Sequence, residues 1–244
     1  MTLKLLHDPR TVARDVPGLF DVVFPQLTPG VVAYFNRTRK AADVNPVATS
    51  LIAQSKLQKA MLFELGSTVG EMLLEGRPID WDECRRVSVA RQRRYFDADI
   101  PEGISDLDRS VAEKVGHNIA SIVSSMAATR GRNVTVAPQI PGLHWISSGR
   151  GDFAAGPALI EVKCTNKNFS SADYRQIVMY WLLGYAASIE NRGQEWPEGV
   201  LLNPRLAQYV VFDFDELIHV IGAGRTKVEI LQVFASMVGD RGLR

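Results

Sequence analysis

The chain has 244 residues, enough for one large domain or a compact core with a helical extension. Apolar residues make up 46% and charged residues 23%, a globular balance that argues against disorder over most of the length. The net formal charge of +1 selects no partner by itself, and two cysteines are too few for a four-cysteine zinc or iron–sulfur centre. Cys84 and Cys164 are therefore expected as buried or half-buried thiols. No apolar run is long enough to span a membrane, and the opening MTLKLLHDPRTVARD is too short in apolar residues for a secretory signal, so a cytoplasmic location is expected.

Residues 1–50 carry prolines at 9, 17, 25, 29 and 46, which allow only short helical pieces between them. Asn45-Pro46 then marks a turn before a long helix predicted from about Thr49 to Glu75, with Leu57, Met61, Leu62, Leu65, Val69, Met72 and Leu73 at helical spacing. Residues 80–100 read as mixed. They contain the densest basic run, Arg85 to Arg94, with five arginines and no acid. Such a run is a solvated face or a phosphate-contacting patch, and Arg85, Arg86, Arg91, Arg93 and Arg94 are its candidate nucleic-acid contacts. A second helix is predicted from Ser105 to Thr129, with Ser105-Asp106 as cap and Gly131 past its end.

Strand alternation follows at Asn133–Ile140, Leu143–Ser147, Asp152–Ala155 and Ala158–Cys164. A helix is predicted over Ser171–Asn191, then strands at Gly199–Asn203 and Ala207–Phe212, and a last helix at Lys227–Val238. Helices first and strands afterwards indicate an α+β fold with an N-terminal helical region (1–104) and a mixed-sheet core (105–244), most simply one compact unit.

Gly149 to Lys163 carries the chemistry. A two-residue turn at Gly156-Pro157 places Asp152 opposite Glu161, with Cβ atoms about 5 Å apart on one sheet face. Lys163 shares that face with Glu161, and Val162 points the other way. Two carboxylates that close need compensation, which a divalent cation supplies; Asp152, Glu161 and the Val162 carbonyl make a plausible oxygen shell for Mg²⁺ or Mn²⁺. Lys163 is placed to orient an attacking water and stabilise charge on a phosphate. Arg150, just upstream, is a further candidate phosphate contact. Gln176 and Tyr180 lie one turn apart on a helix that is apolar nearly all round, so Gln176 needs buried partners.

Asp152, Glu161-Val162-Lys163 and Gln176-x-x-x-Tyr180 resemble successive motifs of PD-(D/E)XK nucleases of the RecB/RecE-like branch. Leu201 to Arg205 and Tyr209 to Phe212 resemble the strand pair that closes the core in those enzymes. The resemblance implies a restriction-endonuclease-like core (a mixed central sheet flanked by helices) and a metal-dependent deoxyribonuclease, with exonucleases among its kind, acting in phage recombination, defence or repair. It implies DNA as partner, with a protein partner or a second copy also open and no membrane. Leu65-Gly66-Ser67-Thr68-Val69-Gly70-Glu71-Met72-Leu73-Leu74-Glu75 is similar to the helix motif G-[ST]-x-x-H-x-x-L-L-E of RecE-like enzymes, but Gly70 stands where those enzymes place a metal-binding histidine. Glu113, on the second helix, is the favoured substitute, with Glu71 and His117 as rivals. The four-cysteine cluster of CRISPR-associated relatives is missing. The departure at Gly70 also leaves a catalytically weak DNA-binding or scaffold subunit as the alternative reading.

Overall fold

The computed structural model describes residues 7–16, 18–131 and 133–240, so the opening run at 1–6 and the proline at 17 lie outside the described residues. Proline-started turns build the first layer. Asp8 and Thr28 cap α1 (Pro9–Asp15) and α3 (Pro29–Asn36) by accepting backbone N–H groups, and α2 (Leu19–Val23) lies between them. After β1 (Lys40–Ala41) the helix predicted from Thr49 to Glu75 is in fact two, α4 (Thr49–Gln54) and α5 (Lys59–Leu74). Hydrogen bonds explain the break. Ser55 is extended, its hydroxyl donates to Asp108 at 2.6 Å, and Gln58 is held by the backbone at Asp97 and Asp99.

The arginine run, predicted as mixed, is helical as α6 (Trp81–Gln92), because the Asp80 carboxylate accepts from the N–H groups of Asp82 and Glu83. A reciprocal Ser105–Asp108 box starts α7 (Asp106–Thr129), in agreement with the sequence. The segment predicted as one strand from Asn133 is interrupted at Ala137, which adopts φ 50°, giving β2 (Val134–Val136) and β3 (Gln139–Ile140). Leu143–Ser147 is not a strand; it makes isolated bridges, Leu143 to Ile146 and Ile146 to His7. Next come β4 (Gly149–Arg150), β5 (Phe153–Ala155), β6 (Ala158–Val162), α8 (Ser171–Ile189), β7 (Glu198–Asn203) and β8 (Gln208–Asp213). The helix α9 (Phe214–Ile221), capped by Asp213 and unforeseen, precedes α10 (Lys227–Asp240).

The architecture is α+β, with a mixed six-stranded sheet ordered β1-β8-β7-β6-β5-β2 and helices on both faces. Its one parallel pair among the described strands is β6–β7, joined by α8 as a crossover. Leu159 and Leu201 face α8, whose other sides are covered by α1–α3, α9 and α10; that is why α8 is apolar nearly all round. Ile160, Val200 and Leu202 face α7, with α4 and part of α5 behind it. The first 104 residues therefore divide between the two faces rather than forming one layer, and β1 extends the sheet itself. No helix among the described residues is long and apolar enough to cross a membrane.

Candidate active site

The hairpin has the register expected from the turn. Phe153 pairs with Ile160, Ala154 with Leu159 and Ala155 with Ala158, and Gly156 takes the left-handed conformation (φ 60°) the turn requires. Asp152 lies one residue before the ladder begins. Its Oδ2 accepts the Val162 N–H at 2.7 Å, so its carboxylate is fixed against the end of β6 beside Glu161.

Four side chains interlock there. Lys163 Nζ donates to Glu161 Oε1 at 2.6 Å and to Gln176 Oε1 at 2.9 Å. Gln176 Nε2 donates to the same Glu161 oxygen at 2.5 Å and to the Tyr180 hydroxyl at 3.0 Å. The amide is thereby oriented by its neighbours, oxygen toward the ammonium and nitrogen toward the carboxylate. Glu161 is 1% exposed, yet its Oε2 has no hydrogen-bond partner. A buried carboxylate oxygen left bare is costly. Burial first, then the Asp152 charge, pushes the Glu161 carboxyl up to about 7, against the pull of Lys163 and Arg10. Burial likewise raises the Tyr180 hydroxyl and keeps it protonated.

The orphaned Oε2 next to Asp152 fits a divalent cation. The donor set is small, because no group of three or more His, Cys, Asp or Glu suited to a metal occurs among the described residues. Glu113 is the main departure from expectation. It lies on α7, the helix over the opposite sheet face from α8, and has no hydrogen bond or ion pair among the described residues; His117, on the same helix, is exposed. Gly70 faces α7, where a Cβ would meet Ile119 at 3.0 Å, so a side chain there would crowd the neighbouring helix. Glu71 gives both oxygens to Arg91, at 2.8 Å each, and Arg91 also contacts Glu64 at 3.1 Å.

That ion cluster corrects the reading of Arg91 as a free phosphate contact, since its guanidinium is already paired with two carboxylates. Arg86, Arg93, Arg94 and Arg150 are exposed, with no side-chain partner among the described residues, and Arg85 is exposed with a 3.5 Å contact to the Pro101 carbonyl. Both thiols are free. Burial raises Cys84 to about 11 and Cys164 to about 12, so neither is primed for reaction at neutral pH.

Arg10 is the site residue that sequence reasoning missed. From α1, its Nε donates to the Tyr180 hydroxyl at 3.4 Å and its Nη2 lies 3.8 Å from Asp152 Oδ1. A separation of 170 residues from Tyr180 leaves no local signal that could have found it. No protein-family model matches the chain, and no curated protein is significantly similar to it.

Proposed function

We propose that the chain is a metal-dependent deoxyribonuclease of the PD-(D/E)XK type, with a restriction-endonuclease-like core made by α7, β2, β5, β6, α8 and β7. The observation that carries this reading is the buried Glu161 Oε2, bare of partners, beside Asp152 and a lysine held by Gln176. Asp152, Glu161 and the Val162 carbonyl would hold Mg²⁺ or Mn²⁺, which when bound supplies Lewis acidity toward a phosphodiester and acidifies a bound water.

The chain's own residues prepare that chemistry. Lys163 spends two of its three N–H donors on Glu161 and Gln176, which leaves one for the attacking water or a phosphate oxygen. Gln176 fixes the ammonium in place, and Tyr180 fixes Gln176, so the donor is aimed before substrate arrives. Mg²⁺ or Mn²⁺ added to purified protein with linear and covalently closed DNA is the test. Cleavage that needs the metal and is lost in Lys163→Ala is the expected result, and cleavage of the linear form alone would make the enzyme an exonuclease. Binding of DNA without metal-dependent cleavage would instead favour the weak or scaffold subunit.

A further inference from the structure

We infer that Arg10 is a phosphate-anchoring residue, holding a nucleic-acid phosphate against the Asp152–Glu161 pair; this rests on the nuclease reading proposed above. The guanidinium is held by one edge only. Its Nε is engaged by Tyr180, while the Nη2 contact to Asp152 is 3.8 Å, too long for a hydrogen bond. The Nη fork thus has no hydrogen-bond partner among the described residues, and the Arg10 side chain remains 39% exposed. A planar fork, fixed at the back and open at the front, matches two oxygens of a phosphate.

Charge points the same way. Asp152 and Glu161, when ionised, balance Lys163 and Arg10, so a divalent cation entering the site leaves it positive. An anion offsets that charge, and a phosphate brings both the charge and the acceptor geometry that the Arg10 fork lacks. A purely structural arginine of this kind would be expected to close its fork on Asp152, as Arg91 does on Glu71.

The test uses the full chain, wild type and the variants Arg10→Ala and Arg10→Lys, with Ca²⁺ in place of the catalytic ion. Fluorescence anisotropy would follow binding of a labelled duplex carrying either a 5′-phosphate or a 5′-hydroxyl, across a salt series. Arg10→Ala should bind at least about tenfold more weakly, with the log–log salt slope reduced by about 0.9 for the lost contact. Arg10→Lys should recover the slope but not the full affinity, because it keeps the charge and loses the fork. A loss confined to the 5′-phosphorylated duplex assigns a terminal phosphate; an equal loss on both assigns an internal one. Unchanged affinity and slope in Arg10→Ala, while the wild type binds DNA and cuts it with Mg²⁺, would overturn the anchor and leave the nuclease reading intact. A wild type that neither binds nor cuts overturns both. A fall in Arg10→Ala that Tyr180→Phe reproduces in full, slope included, assigns the effect to the orientation of Tyr180 and also overturns the anchor.

Discussion

Two clusters of acid and base, one half-buried and one buried, lie near each other in this molecule and differ in one further respect. In the cluster on α5 and α6, Glu71 has both oxygens on Arg91, and Glu64 shares its oxygens between Arg91 and Gln92. In the cluster on β6 and α8, two donors, Lys163 and Gln176, converge on one oxygen of Glu161, and the other oxygen is bare. Asp152 helps to raise the carboxyl of both Glu71 and Glu161, so the two clusters share an electrostatic neighbourhood. Satisfaction of every acceptor marks a structural brace. The bare Oε2 of Glu161 is the feature on which the proposed metal site rests.

The sharpest way to break this comparison is Glu161→Gln. Cleavage should fall by roughly 100-fold or more, because the substitution removes a charge from the proposed metal shell. Stability should move the other way. The folded-state value of about 7 lies above the ordinary 4.5, so between these values the folded chain keeps a proton that the unfolded chain has released. Stability of the wild type therefore falls as pH rises through that window, by up to about 3 kcal/mol, and the glutamine variant should escape the fall. Urea unfolding at pH 4 and pH 8 reads it. Equal pH dependence in the two proteins would remove the claim that Glu161 is held under strain of burial.

Arg91→Ala should do the converse. With Arg91 34% and Glu71 18% exposed, the unpaired carboxylates should cost about 1–3 kcal/mol, less than a fully buried pair would. Cleavage per folded molecule and the Mg²⁺ needed for half-maximal activity should stay as in the wild type. A changed metal requirement would move Glu71 from the brace into the site.

Gln176→Ala tests the support rather than the ligand. It strips Lys163 of one acceptor, and Glu161 Oε1 and the Tyr180 hydroxyl of one donor each, and leaves both carboxylates present. A roughly tenfold loss of turnover with little change in metal affinity is expected, the size of a misplaced hydrogen-bonding group rather than a lost ligand. Loss of Mn²⁺ binding by calorimetry would show that Gln176 acts on the carboxylate more than on the lysine.

The hairpin was legible in the sequence because its register depends on a turn of two residues, and Gly156-Pro157 names that turn. Lys163 and Gln176 were legible because strand and helix periods fix which residues share a face. What escaped depends on contacts between distant segments. Arg10 meets Tyr180 only after α1 packs on α8, and Arg91 reads as a free basic residue until α5 places Glu64 and Glu71 opposite it. The break at Ser55 escaped for the same reason, since its partner Asp108 is 53 residues away. Glu113 is favoured on the condition that α7 packs over the hairpin, and α7 does so, but on the side of Phe153 and Ile160 rather than that of Glu161. Strand alternation alone does not say which helix takes which face, and here α8 takes the face that Glu161 occupies.

The smallest effect separates the rest of the arginine run from its one paired member. Arg93 and Arg94 follow the end of α6, exposed and without side-chain partners among the described residues, two and three residues beyond an arginine that is braced. Their substitution should leave stability within about 0.5 kcal/mol, as expected for solvated side chains that fill no core. Any effect must then appear in DNA binding, and only through charge. Arg93→Ala combined with Arg94→Ala should flatten the salt dependence of duplex binding by up to roughly 0.9 log–log units for each residue that touches a phosphate. Maximal turnover on saturating DNA should not change, because neither residue contacts the carboxylates. The contrast with Arg91→Ala is what gives the measurement its force, with stability lost and slope kept in one case and the reverse in the other. An unchanged slope in the double variant would make Arg93 and Arg94 a solvated helix end, and the phosphate contacts would have to come from Arg85, Arg86, Arg10, Arg150 and Lys163.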